Sequence, residues 1–343
     1  MAARREEYFW VALGALGDAL MLISMADEAL AASPVADRAT LLAVRNRVLL
    51  RDLSEDNDRI YVRPFSFWPV LSAVARGRRC RVCFAPTFGR LPVWVKLLAW
   101  FLARVPSVRV VGFRDQGRWQ PYDTSIDFDS RIGVLENLLA LAAIAGIPAE
   151  RTVPHPVFHA IEMRAQKPYL FIHPFAASLK RTLPPHRWRT LIEKLHERYP
   201  DYAILVSGSG AEKELAQEWF GHLSYVQPVL DRPIRDIAGY LTGCRLFIGV
   251  DTGVTHVAGV FHVPSVVLEN NSNPMWFPTY NPNARILINS ARCTCTGDKG
   301  GDCIVMEEGK PYYRCLYDIS EDEILEAIDE MLTAQADGVS PGS

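Results

Sequence analysis

Residues 245–268 read RLFIGVDTGVTHVAGVFHVPSVVL. Two unbroken apolar runs, Arg245–Val250 and Pro264–Leu268, flank a segment of helical length from Thr252 to Phe261. A short apolar run without alternation is what a strand buried on both faces requires. A helix of about ten residues between two such strands returns the chain for parallel pairing. The same unit recurs upstream, with strands expected at Tyr169–His173, Ala203–Val206 and Tyr225–Val226. Helices are expected from Pro184-Pro185, with Trp188, Leu191, Ile192 and Leu195, then over Ala211–Phe220 and Ile234–Leu241. Prolines suit a first helical turn, whose N–H groups have no internal partner. Downstream, Ser320 and Glu323 form a capping box for a helix to about Thr333.

The first half carries a weaker version of the pattern. Strands are expected at Phe9–Leu13, Ile60–Arg63, Arg81–Phe84 and Val108–Phe113, and helices at Asp18–Ala31 and Leu135–Ile144. The stretch from Glu150 to Pro168 has three prolines and no period, so the join falls there. The fold expected is α/β, with two doubly wound Rossmann-like domains facing a central cleft. Residues 1–155 form the first, 156–168 a linker, 169–335 the second, and 336–343 a disordered tail. A length of 343 residues fits two domains.

Composition narrows the partners. Apolar residues make up 49% and charged residues 22%, and the net charge is -2, so no global basic excess argues for nucleic acid. Seven cysteines, an odd number, do not read as a secreted disulfide framework. No apolar run is long enough to span a bilayer. Phe9–Ala26 has the apolar run of a signal peptide, but Glu6 and Glu7 precede it and Asp18 interrupts it. Leu91–Val105 is strongly apolar and too short to span, so it is either a buried or an interfacial helix. From Arg59 to Arg114 there are eleven cationic side chains and no Asp or Glu. That stretch either projects positive potential toward an anionic partner or membrane surface, or is neutralised by neighbours in space.

Three segments place chemistry at strand-to-helix junctions, where parallel sheets bind ligands. In Gly14-Ala15-Leu16-Gly17-Asp18, the glycines permit a sharp turn and Asp18 arrives at a helix start, as a cap or as an acid–base group. The third glycine of a dinucleotide fingerprint is missing. In HPFAASLKRTLP, residues 173–184, Ser178, Lys180 and Arg181 suit a phosphate; the alternative is a solvent loop with two incidental charges. In Gly249–His256, Asp251 ends a buried strand, and Thr252, Gly253, Val254 and Thr255 open a helix whose free N–H groups make an anion site. His256 either faces that site or is a core histidine.

Taken in order, GxxGD, HPFAASLKRTLP with Trp188 downstream, and GVDTGVTHVAG followed by VPSVVLENNSNPMWFPTY resemble glycosyltransferase family 9, the heptosyltransferases of lipopolysaccharide core synthesis. The resemblance implies a GT-B architecture, with the acceptor in the first domain and the nucleotide sugar in the second. It implies inverting, metal-independent transfer with no cofactor, from ADP-heptose to an anionic lipid-linked saccharide. The place implied is the cytoplasm, at the inner face of the cytoplasmic membrane. Asp18 then matches the general base, and Ser178 a phosphate-contacting hydroxyl. The diphosphate falls to Lys180 or Arg181, the count back from Pro184 and Trp188 putting the family's lysine on Arg181. Glu212 resembles the acid on the donor nucleoside, with Glu214 as fallback. Asp251 meets sugar hydroxyls, and Thr252, Gly253, Val254, Thr255 and His256 surround the diphosphate. The chain departs from the pattern in strand Phe9–Leu13, which lacks a basic residue, and at Phe175, where glycine is common. Two other readings therefore stay open: transfer to a protein side chain, and a non-catalytic nucleotide-sugar-binding protein.

Cys293, Cys295, Cys303 and Cys315, spaced C-x-C-x7-C-x11-C, either hold a structural zinc or iron or remain free in a packed tail. A protein-modifying branch of the resembling family is thought to bind iron. Cys80 and Cys83 lie on opposite faces of one strand and read as core.

Overall fold

All seven residues of strand β1, Glu6–Ala12, are buried, as befits a central parallel strand covered on both faces. The computed structural model describes residues 5–13, 16–43, 57–86, 91–114, 119–149, 153–163, 167–270, 274–276, 278–289 and 303–336. The chain divides into two compact units, Met1–His159 and Ala160–Ser343.

In the first unit β1 is joined by β2 (Ala36–Ala43), β3 (Ile60–Pro64), β4 (Arg79–Phe84), β5 (Val108–Phe113) and β6 (Thr124–Ile126). The parallel sheet runs in the order β3-β2-β1-β4-β5-β6. Its helices are α1 (Leu16–Ala32), α2 (Trp68–Ala75), α3 (Val93–Leu102) and α4 (Val134–Ala145). The order reverses between β1 and β4, and α1 follows directly on β1, which puts the start of α1 at the switch point. Phe9, Val11, Val82, Phe84 and Val110 pack under Val70 and Ala73 of α2 and Val95, Ala99 and Leu102 of α3. Cys80 and Cys83 are both buried, as expected of core residues. Gly146, with φ of 73°, ends α4 in the left-handed conformation that favours glycine. The apolar stretch Phe9–Ala26 is β1 and the buried first half of α1. Strands β2 and β6 were not expected from the sequence.

The second unit repeats the plan. Strands β7 (Tyr169–His173), β8 (Ala203–Gly208), β9 (Val226–Leu230), β10 (Leu246–Val250), β11 (Ser265–Leu268) and β12 (Ala284–Leu287) run in the order β12-β11-β10-β7-β8-β9. Helices α5 (Pro185–Arg198), α6 (Lys213–Phe220), α7 (Ile234–Gly243) and α8 (Gly253–Val260) connect them. A hairpin, β13 (Ile304–Glu307) and β14 (Lys310–Tyr313), leads through α9 (Arg314–Tyr317) to α10 (Glu321–Ala336). The capping box forms: Ser320 N–H donates to Glu323 Oε2 at 2.7 Å, and Glu323 N–H to Ser320 Oγ at 3.2 Å. Helix α10 continues past Thr333 to Ala336. Trp188, Leu191 and Leu195 of α5, with Ile324, Ile328 and Met331 of α10, close over Leu170, Ile172, Ile248 and Val250.

For part of the acid-free arginine segment the structure favours the second of the two readings, neutralisation by neighbours in space. Buried Glu6 takes Arg81 in two bonds of 2.8 Å, buried Glu7 takes Arg76 at 3.0 Å, and Asp37 takes Arg78 at 2.7 Å. Carboxylates from β1 and β2 thus neutralise Arg76, Arg78 and Arg81. Of the four late cysteines, Cys293 and Cys295 lie outside the described residues, as do Gly14 and residues 337–343. Cys303 and Cys315 are buried at the open end of the hairpin, where Arg314 N–H donates to Cys303 O at 2.7 Å. Among the described residues no three His, Cys, Asp or Glu side chains converge as a metal site.

Candidate functional site

Strands β7, β10 and β11 end side by side, Gly249 opposite His173 and Val250 opposite Leu268. His173 and the residues that follow the other two strands, Asp251 and Glu269, therefore share one edge of the sheet. That edge lies beside the β7/β10 switch point, where ligands of such sheets bind.

Asp251 is the hub. Only 8% exposed, its Oδ2 accepts from Arg181 Nη2, while His256 Nε2 stands 3.9 Å from Oδ1. The second and third motifs thus meet in one ion pair. The loop that delivers Arg181 is built in layers. Ser178 Oγ accepts the Lys180 N–H at 3.4 Å and caps the short turn Leu179–Arg181. Below it, the Thr182 hydroxyl donates to Pro174 O and accepts from Trp188 Nε1 at 2.9 Å. Trp188 is therefore the anchor that fixes the cationic turn to α5. Lys180 is half-exposed. Phe175, in place of a glycine, fills the core against Trp219 at 5.2 Å.

At the start of α8, Thr252 is the cap residue with extended backbone, and its buried hydroxyl has no partner among the described residues. Gly253 and Val254 contribute first-turn N–H groups that the helix itself leaves unpaired. The Thr255 hydroxyl is buried and donates to Val250 O at 2.5 Å, bracing the strand-to-helix corner. His256 is 6% exposed, with Nδ1 2.7 Å from the Tyr280 hydroxyl. Burial holds its pKa below the ordinary imidazole value, Asp251 opposing the shift and Arg181 reinforcing it. The imidazole thus bonds Tyr280 and stands next to Asp251. Gly259 makes room for that tyrosine, since a Cβ there would sit 2.7 Å from its ring.

Glu212 lies after β8 and spends Oε2 on Ser209 N–H at 2.7 Å, closing a capping box, whereas Glu214 is exposed. His173 is buried with Nδ1 3.0 Å from Ser207 Oγ, and burial lowers its pKa. In the first unit Asp18 is the third residue of α1, half-buried in the first turn, and Gly17 is buried before it. Asp18 is therefore not the cap residue itself.

Sequence reasoning missed Glu269. Its side chain is fully buried. Burial, and secondarily Asp251, push its pKa well above the ordinary 4.5, with Arg181 partly offsetting. The unfolded chain releases this proton near pH 4.5 while the folded chain keeps it, so this group's contribution to stability falls as pH rises above that point. The slope reaches about 1.4 kcal/mol per pH unit until the folded carboxyl itself ionises. Glu269→Gln keeps the shape and removes the proton. Melting curves from pH 5 to 8 should show a gain of the variant over the native chain that grows with pH; a pH-independent difference would refute the assignment.

The model of glycosyltransferase family 9 (heptosyltransferase) matches residues 97–302, more than half of the chain. The chain is 30% identical over 114 residues to lipopolysaccharide heptosyltransferase 1 of Pseudomonas aeruginosa, a stretch covering 33% of this chain and 32% of that one. The match thus spans about a third of the curated relative's length. Among solved structures, the E. coli ADP-heptose lipopolysaccharide heptosyltransferase II superposes with a TM-score of 0.72 at 18% identity, covering 96% of this chain and 99% of that one. E. coli heptosyltransferase WaaC with ADP-2-deoxy-2-fluoro heptose gives 0.65 at 15% identity, over 94% and 99%. At these identities the likeness shows the fold, α/β of the GT-B kind. With its family model spanning the cationic turn, Asp251 and α8 alike, the chain belongs to glycosyltransferase family 9, the heptosyltransferases.

Proposed function

We propose that the protein is an inverting, metal-independent glycosyltransferase that moves heptose from ADP-heptose to a lipopolysaccharide-core-type acceptor. The observation that carries this reading is the Arg181–Asp251 pair, which brings a cationic turn to the start of α8 at the sheet's switch point. A diphosphate there meets the Arg181 guanidinium, Lys180, the Ser178 hydroxyl and the N–H groups of Gly253 and Val254. Fixed positive groups and a helix N-terminus stabilise the leaving nucleoside diphosphate as the glycosidic bond breaks. In this reading Asp251, with His256 beside it, accepts from sugar hydroxyls, and Glu212 meets the nucleoside. Asp18 in the first unit takes the proton from the acceptor hydroxyl as that oxygen attacks the anomeric carbon. Inversion follows from one direct displacement. The acceptor is an anionic lipid-linked saccharide, and the reaction belongs at the cytoplasmic face of a membrane.

Melting curves with ADP, UDP, GDP, CDP, TDP and their sugar conjugates test the donor. At about 100 Kd a ligand adds roughly 2.7 kcal/mol, readily seen as a shift. ADP and ADP-heptose should stabilise the protein and the other nucleotides should not. A shift with a different nucleotide would discard ADP-heptose, and no shift with any would overturn the transferase reading.

A further inference from the structure

Surface helices normally turn polar residues to water. Helix α3 does not. It buries Val95, Lys96, Ala99 and Leu102, and its other face is Val93, Trp94, Leu97, Trp100 and Phe101, from 38% to 69% exposed. Trp68, at the start of α2, is 67% exposed. The rings between these residues make the surface continuous: Phe67 is 4.7 Å from Trp68 and 5.8 Å from Phe101, and Phe65 is 5.6 Å from Trp94. A joined aromatic face on two neighbouring helices is a docking surface rather than a scatter of single apolar residues.

Two cations stand at this face. Arg104 lies 3.7 Å over the Trp100 ring, and Arg63 is exposed just ahead of Phe65. Asp123, in the groove beside Trp100 and Arg104, is bound to Val110 N–H at 2.7 Å. Lys96 is held inward, its Nζ 3.3 Å from Trp119 O.

We infer that this face seats on an anionic lipid bilayer, the aromatic rings entering the boundary between headgroups and acyl chains. Tryptophan combines an apolar ring with an N–H donor, which suits that boundary, and an arginine stacked on it reaches up to the phosphates. A ten-residue helix is too short to cross the membrane and long enough to lie in its surface. Arg104 and Arg63 beside the rings favour a negative surface. The inference rests on the membrane location proposed above and names the surface of the first unit that makes the contact; it does not depend on the donor.

The test uses the full chain, without substrate, and vesicles of phosphatidylcholine alone or with about 30% phosphatidylglycerol. The protein should co-sediment with the anionic vesicles, and its tryptophan emission should shift to the blue and be quenched by brominated acyl chains. A Trp94→Ser, Leu97→Ser, Phe101→Ser variant should lose about tenfold or more in partitioning. Its melting temperature should hold, since these side chains face away from the core. If that variant does not fold, Trp94→Ser alone decides, through about a threefold loss in partitioning and a loss of quenched emission. Native protein left in the supernatant with both vesicle types, or variants that bind as well as native, would overturn the inference. So would self-association that the variants abolish in the absence of any vesicle binding, which would assign the face to a second copy of the chain.

Discussion

Asp18→Asn should lower kcat by about 10²–10⁴-fold, the usual contribution of a positioned general base, and leave the donor Kd nearly unchanged. The amide keeps the carboxylate's shape and cannot accept the acceptor's proton. Asp18 sits in the first turn of α1, directly after β1 at the switch point of its sheet. A carboxylate in a first turn also favours the helix electrostatically, by about 0.3–1 kcal/mol. The two roles separate experimentally: loss of the electrostatic role lowers the melting temperature slightly, while loss of the base abolishes transfer in a protein that still binds ADP. Transfer assays beside calorimetric titration with ADP read both. If the variant keeps more than about a hundredth of kcat, Asp18 is a helix-stabilising residue and the base lies elsewhere.

The parts of the molecule legible in the sequence are those whose physics is local. Strands β7 and β10 are buried along their whole length, so their apolar runs announce a two-sided parallel sheet. Strand β2 carries the half-buried Asp37 and Arg38 directly after Ala36, and β6 is three half-buried residues, so neither shows an unbroken apolar run. The cationic turn and the start of α8 could be read as sites, but not their joining, because Arg181 and Asp251 are seventy residues apart and meet only through the strand order. Glu269 was illegible for the same reason. One carboxyl after an apolar strand reads as a loop residue, and its burial comes from where β11 lies in the sheet. The arginine segment left two readings open for the same reason. Its counter-ions Glu6 and Glu7 stand about seventy residues upstream, and only the pairing of β1 with β4 brings them across.

Arg181→Ala should weaken ADP and ADP-heptose binding by about 10- to 100-fold, in line with the about 1.5–3 kcal/mol that a hydrogen bond to a charged group contributes. Lys180→Ala should cost severalfold less. The difference follows from preorganisation: Trp188, Thr182 and Ser178 fix the turn, and the Arg181 guanidinium is held at the sheet edge by Asp251, whereas Lys180 is half-exposed and must be ordered by the ligand. Removing Arg181 also takes away the positive charge that lowers the pKa values of His256 and Glu269, so both should rise. The pH at which the His256 ring titrates by NMR therefore reports loss of the guanidinium from this site independently of any ligand. Donor affinity falling more in Lys180→Ala than in Arg181→Ala would transfer the diphosphate to the lysine and leave Arg181 as the counter-ion of Asp251. An unmoved His256 in Arg181→Ala would mean that the ion pair is not formed in solution, and with it would go the joining of the two motifs on which the donor site rests.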